Sequence, residues 1–288
     1  MITTCSASPA AVKRIRLMAG RFITYAALCL LSMVFVAPFL WMVSTSLKPD
    51  AQVFSEHVQW VPHPFVWSNY PVALQSFPFL LYLRNTLFIC VMTMIGVVIS
   101  SALPAYGFAR LQWRGRDALF LVLVMTIMLP AQVTMLPVFL IFRALHWTGT
   151  FLPLVVPPFL GSAFSIFLLR QFLLTIPQEL SDAARIDGCS EFGILLRIIL
   201  PMAKPAVATV ALFAFTGAWM DFMGPLIYLH DERNYTLAIG LQAFLGRHGG
   251  EWNLLMAAAT VITLPMLVLF FFAQRTFIQG IALTGMKG

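Results

Sequence analysis

Residues 177–205 read PQELSDAARIDGCSEFGILLRIILPMAKP, a charged interruption in a chain that is otherwise almost continuously apolar. Pro177 and Glu179 precede Ser181 to Asp187, and Gly188 comes next, the pattern of a short helix with acid near its positive end and glycine at its exit. Gly188 suits the left-handed conformation that turns a chain sharply. Ser190 is placed to cap a second short helix, along which Phe192, Leu195, Leu196 and Ile199 form an apolar stripe at helical spacing. The first helix carries Leu180, Ala183, Ala184 and Asp187 along one side, and the paired alanines make a thin face suited to a groove on a partner. Pro201 and Pro205 keep the second helix from fusing with the next span. Helices this short are marginal in water alone, so the hairpin calls for a partner to cover it.

Outward from the hairpin the composition places the chain in a bilayer. Its 288 residues are 60% apolar and 10% charged, against about 25% charged in ordinary soluble domains. Crossing a hydrocarbon core of roughly 30 Å takes about 20 apolar helical residues, since every backbone polar group must be bonded within the segment. Six stretches qualify, approximately 22–43, 85–108, 118–142, 151–174, 206–229 and 253–273. The expected fold is an all-α membrane protein of six spans over 22–274, with an amino-terminal segment 1–21 whose first dozen residues lack structure, and a carboxyl tail 275–288.

Cytoplasmic loops carry the excess of Lys and Arg. With the amino terminus inside, thirteen of the 18 basic residues fall on the cytoplasmic side, and only Lys48, Arg84, Arg143, Arg233 and Arg247 fall outside. Both termini and the 177–205 hairpin are therefore expected in the cytoplasm. Topology and contact with anionic lipid account for the net charge of +7, leaving no call for nucleic acid. The first apolar stretch follows the basic Lys13-Arg14-Ile15-Arg16 but exceeds a signal-peptide core and reads as a retained anchor. Cys29 and Cys90 fall within spans, Cys5 and Cys189 on the reducing side, so no disulfide framework is expected.

The longest external stretch, 44–84, interleaves His57, Trp60, His63, Trp67 and Tyr70 with five prolines and reads as an interfacial cap, a sugar-stacking platform being the other reading. The remaining connections are too short for a soluble domain of 50 or more residues, so any catalytic or ligand-binding domain belongs to another chain. There is no G-x-x-x-x-G-K-[ST] phosphate loop, no metal-ligand spacing and no cofactor motif. Asp221 is the one acid placed well inside a predicted span, where a carboxylate costs a few kcal/mol.

The spacing Asp182-Ala183-Ala184, three residues, Gly188, nine residues, Ile198-x-Leu200-Pro201 resembles the EAA loop of membrane subunits of binding-protein-dependent ABC importers. Trp67-Ser68-Asn69-Tyr70, Arg84-Asn85-Thr86, Ala105 to Arg110, Met128-Leu129-Pro130, Ile166 to Arg170 and the terminal Gln274-Arg275 with Gly285 to Gly288 are similar to the maltose-type and glycerol-3-phosphate-type sugar permeases, the second permease of the pair. The resemblance implies a methionine-importer-type core in a prokaryotic inner membrane, paired with a second permease, two ATPase subunits that bind the ATP and magnesium, and an external binding protein. It assigns ATPase coupling to Glu179, Leu180, Asp182, Ala183, Ala184, Asp187, Gly188, Phe192, Ile198, Leu200 and Pro201. Thr284, Gly285 and Lys287 would meet the ATPase through the carboxyl tail, and Trp219 and Asp221 would sit at the translocation path or gate. Two departures stand out: Asp182 replaces the usual glutamate, and Trp219-Met220-Asp221-Phe222 lacks the asparagine of the family's Trp-Asn-Asp-Phe. The competing class is an ion-gradient-driven carrier, for which only Asp221 qualifies as a midplane ionisable group. An intramembrane hydrolase lacks a His or Lys beside its Ser, Thr and Cys residues.

Overall fold

The computed structural model describes the backbone of residues 9–55, 57–247 and 250–285, and the side chains of 18–55, 57–242 and 250–274. Among the described residues the fold is helical throughout, with no strand. Four helical stretches are long and apolar enough to cross a membrane, Met18–Ser46, Phe79–Arg110, Leu152–Leu173 and Trp252–Gln274. Counting each of two bent pairs as one span brings the number to six.

Two of the predicted stretches are broken. The 118–142 stretch is two helices, Arg116–Ile127 and Ala131–Ala144, set at 96°. Pro130 lies between them; a proline disfavours helical geometry in the residue before it, so the first helix ends at Met128-Leu129. The 206–229 stretch is also broken: Lys204–Met220 ends at Asp221, whose backbone is extended, and Met223–Tyr228 forms a separate turn beyond it. The first helix starts at Pro9, within the dozen residues expected to lack structure. The last runs through Ala273 to Gly285, where a short tail was expected.

The chain divides into two compact units, Met1–Ala73 with Gly250–Thr260, and Leu74–Gly249 with Val261–Gly288. In the first, Asn69 donates to the carbonyls of Ser46 and Lys48, both at 2.9 Å, and Asn253 donates to the Lys48 carbonyl at 3.3 Å. Tyr70 shares a 2.8 Å hydrogen bond with Ser46, and the buried Lys48 ammonium lies 3.9 Å from the centre of the Trp41 ring. These bonds fix the exit of the first long helix. Trp60 and Trp67 are exposed.

In the second unit, Phe79–Arg110 is the organising helix, packed against Lys204–Met220 and Ala163–Leu173. Its 32 residues span about 48 Å at 1.5 Å each. The buried core joins Ala105, Phe108 and Ala109 to Ile166, Leu169 and Phe172, to Ala206 and Val210, and to Ala184, Ile194, Leu195 and Ile199 of the 177–205 hairpin. The hairpin is thus built into the helical core.

Candidate functional site

The hairpin closes as its local sequence directs. Its first helix is Glu179–Ile186. Gly188 takes φ +81°, and the two backbone bonds of a Schellman closure form, Cys189 N–H to the Ala184 carbonyl at 2.9 Å and Gly188 N–H to the Arg185 carbonyl at 3.0 Å. Ser190 then caps the second helix by accepting from the Gly193 amide at 3.2 Å. That helix begins as Glu191–Ile194 and passes through a π turn, Leu195–Ile199. Past Leu200–Met202 the chain bends by 82° into Lys204–Met220, with Pro205 in its first turn.

Charged side chains clasp this unit. Arg185 donates through Nε to Glu191 Oε1 and through Nη1 to Asp182 Oδ1, both at 2.6 Å, joining the two helices across the Gly188 turn. The Glu191 hydrogen bond is the largest of the influences that push the Arg185 guanidinium further up from its ordinary value. Tyr106, on the organising helix, donates its hydroxyl to Glu191 Oε2 at 2.6 Å. One turn further on, Arg110 donates to the carbonyls of Ile176 at 2.8 Å and Pro177 at 3.3 Å, and to the Gln178 side chain at 2.8 Å. Sequence reasoning gave no role to Arg185, Glu191, Tyr106 or Arg110. The available signal was Tyr106 and Arg110 at i, i+4 on one helix face, next to opposite charges flanking a glycine turn.

The predicted coupling residues do not all face outward. Glu179, Leu180, Asp182, Ala183, Asp187, Gly188 and Phe192 are exposed. Ala184, however, is buried in the chain's own core, so the pair of alanines does not form one free face. The expected Phe192, Leu195, Leu196, Ile199 stripe is likewise split. Across the π turn the backbone bonds i to i+5, which rotates the register: Ile194, Leu195 and Ile199 turn inward, Phe192 and Leu196 outward. Ile198 and Leu200 are half-buried, and Pro201 is exposed. The most exposed large apolar side chain here is Ile186, at 86%, which the sequence reading passed over.

Asp221 lies toward the opposite end of the organising helix. It terminates Lys204–Met220, where its Oδ1 accepts from the Gly224 amide at 3.0 Å. It sits at a helix end and borders a cavity of about 330 Å³ shared with Thr86, Thr93 and Thr236. Trp219 is buried and stacks on Phe215 at 5.9 Å, 19° from parallel. Asn85 donates to the carbonyls of Arg233 at 2.8 Å and Tyr235 at 3.0 Å, and Thr86 accepts from the Leu237 amide at 3.0 Å. Those bonds fix the segment that forms one wall of the cavity. Thr284 and Gly285 close the last helix, and Lys287 lies outside the described residues. Among the described residues no three His, Cys, Asp or Glu side chains are grouped to hold a metal ion.

A clasped hairpin at one end of a long helix and a cavity bordered by Asp221 at the other is the layout of a lever. The family described as binding-protein-dependent transport system inner membrane component matches residues 92–283. The chain belongs to that family. This inner membrane component is 32% identical over 266 residues to the arabinooligosaccharides transport system permease protein AraQ of Bacillus subtilis (strain 168), covering 90% of this chain and 93% of that one. Its fold matches a chain from the crystal structure of a bacterial ABC transporter involved in the import of the acidic polysaccharide alginate, with a TM-score of 0.78 at 23% identity, covering 94% of this chain and 99% of that one. A second solved structure, the bacterial alginate ABC transporter in complex with alginate pentasaccharide-bound periplasmic protein, matches with a TM-score of 0.65 at 17% identity over 90% and 94% of the two chains. Membership makes the protein a membrane permease of an ATP-driven importer and removes the ion-gradient-driven carrier as a reading.

Proposed function

We propose that this permease is one half of the translocation path of an importer for a sugar or oligosaccharide, and that its 177–205 hairpin is the surface on which a separate ATPase docks. The observation that carries the reading is the hairpin itself. It is closed by its own caps and clasp, tied to the organising helix by Tyr106 and Arg110, and still presents Ile186, Phe192 and Leu196 to the outside, beside exposed Glu179, Asp182 and Asp187. Apolar residues rimmed by charge, on a unit rigid enough to transmit motion, are what a docked motor needs.

The complete machine holds this chain, a second related permease, two ATPase subunits that bind the ATP and magnesium, and an external binding protein. A periplasmic protein is part of one structural neighbour's complex, and the sugar class follows AraQ. The chain makes six spans over 22–274, with the segment 1–21, the hairpin and the 275–288 tail in the cytoplasm, and Thr284, Gly285 and Lys287 reaching the ATPase pair. Closure of the ATPases on ATP moves the hairpin, and through Tyr106 and Arg110 the long helix. A loaded binding protein favours one state because it binds the two states unequally. Trp219 and Asp221 belong to the path end.

The test is reconstitution of the four kinds of subunit in liposomes, measuring ATP hydrolysis and uptake over a panel of neutral and acidic saccharides. Saccharide-stimulated hydrolysis coupled to uptake is expected. ATP-independent uptake, or hydrolysis indifferent to every saccharide with its binding protein present, contradicts the proposal.

A further inference from the structure

We propose that Arg114, Arg116 and Arg170 form a site for the headgroup of an anionic phospholipid, on the hairpin side of the membrane. The site concerns the bilayer and not the cargo, so it is independent of which solute the permease imports. Three helix ends meet there. Phe79–Arg110 runs into the turn at 111–115, Arg116–Ile127 starts beyond it, and Arg170 lies three residues before the end of Ala163–Leu173. The three helices pack on one another.

Arg170 is the informative group. Its guanidinium lies 4.0 Å from the centre of the Phe120 ring, and its Nε donates to the Phe108 carbonyl at 3.2 Å. Among the described residues its two Nη groups have no acceptor, and neither is sealed from the surface. The carboxylate that attracts it, Asp117, is held on both oxygens by Arg116, at 2.9 and 3.2 Å. Arg116 repels it. Arg114, two residues earlier, is exposed and bonded to no described residue. The usual excess of basic residues in loops on one side of a membrane accounts for Arg114 and Arg116. It does not account for a half-buried guanidinium inside a spanning helix with both Nη groups open, which is unfavourable unless an anion completes it.

What lies beside the charges selects the anion. Arg116–Ile127 buries none of its residues, and Leu119, Leu121 and Val122, just past Arg116, are each more than half exposed. Trp113, in the turn, is 43% exposed, and tryptophan favours the level of the headgroups. A soluble anion would satisfy the arginines and leave this apolar face bare. A phospholipid satisfies both, with phosphate oxygens on the guanidinium forks and an acyl chain along the helix. Three arginines against one aspartate leave the site positive, so a headgroup carrying its own cation is disfavoured and an anionic one preferred.

The experiment is native mass spectrometry of the assembled permease–ATPase complex, delipidated in detergent and titrated with palmitoyl-oleoyl phosphatidylglycerol or, as the zwitterionic probe, palmitoyl-oleoyl phosphatidylcholine. Phosphatidylglycerol is expected to bind about fivefold more tightly or better, and excess inorganic phosphate is expected not to displace it. Arg170→Gln and Arg114→Gln are each expected to weaken phosphatidylglycerol about fivefold. Arg114→Lys should restore it, and Arg143→Gln, at the other end of the same predicted span, should change nothing. Arg170 also supports the Phe108 carbonyl, so the thermal midpoint without lipid shows whether its variant folds, and Arg114→Gln decides if it does not. Equal affinity for the two lipids, displacement by inorganic phosphate, or unchanged binding in the deciding variant each overturn the proposal. Loss of ATPase or second-permease subunits from the Arg114→Gln complex would make the patch a protein interface and overturn it as well.

Discussion

The two ends of the Phe79–Arg110 helix are built on opposite principles. At the Tyr106 end the charged side chains bind the hairpin directly: Glu191 meets Tyr106 and Arg185, and Arg110 fills three acceptors on 176–178, though its Nε and the Ser181 hydroxyl are buried without partners. At the Thr86 end the fold leaves an open space, a cavity of about 330 Å³ bordered by Thr86, Thr93 and Asp221. The closed end suits transmission of force, since a rigid joint moves as one piece. The open end suits a path, which needs room. A single helix of about 48 Å joins the two ends.

The largest expected effect breaks the open end. Asn85 is 2% exposed and holds the Arg233 and Tyr235 carbonyls. Asn85→Ala is expected to cost about 2–3 kcal/mol, read as a lowered thermal midpoint in detergent with ATP-driven uptake reduced. Next comes the turn at the closed end. Valine at Gly188 must adopt φ near +81°, at a cost of about 2 kcal/mol. Gly188→Val is expected to strip ATPase subunits from the purified complex.

Tyr106→Phe tests the joint between the ends with one atom. The hydrogen bond it removes goes to a carboxylate whose side chain is 44% exposed, so about 1 kcal/mol is expected after solvent screening. ATPase co-purification should be retained while more ATP is hydrolysed per solute imported. Retained coupling would reduce Tyr106 to a structural bond. The smallest effect is at Cys189, which is exposed and contributes its backbone amide to the turn. Cys189→Ser is expected to leave stability within about 0.5 kcal/mol and uptake unchanged.

The same contrast governs how much the sequence disclosed. The hairpin was legible because its signals are local: Gly188, Ser190 and the flanking prolines each act within a few residues, and the caps form where they were expected. Its facing was less legible, since the π turn at Leu195–Ile199 rotates the register, and alternation of apolar residues does not report a rotation of the backbone. The bend of 96° near Pro130 escaped for a related reason, because both halves are equally apolar. The cavity was not legible at all. Asn85 and Tyr235, whose bond shapes its wall, lie 150 residues apart. No periodicity links them; only the packed fold does.

The central claim, that the hairpin receives the motor, is tested most directly at Ile186. It is 86% exposed, so its side chain adds little to the packing of the permease itself. Ile186→Asp should therefore leave the permease folded, with an unchanged thermal midpoint, whatever its role. In the co-expressed complex the account predicts that the purified Ile186→Asp permease pair retains fewer than one tenth of its ATPase subunits and loses ATP-driven uptake. A full complement of ATPase with wild-type uptake would contradict it.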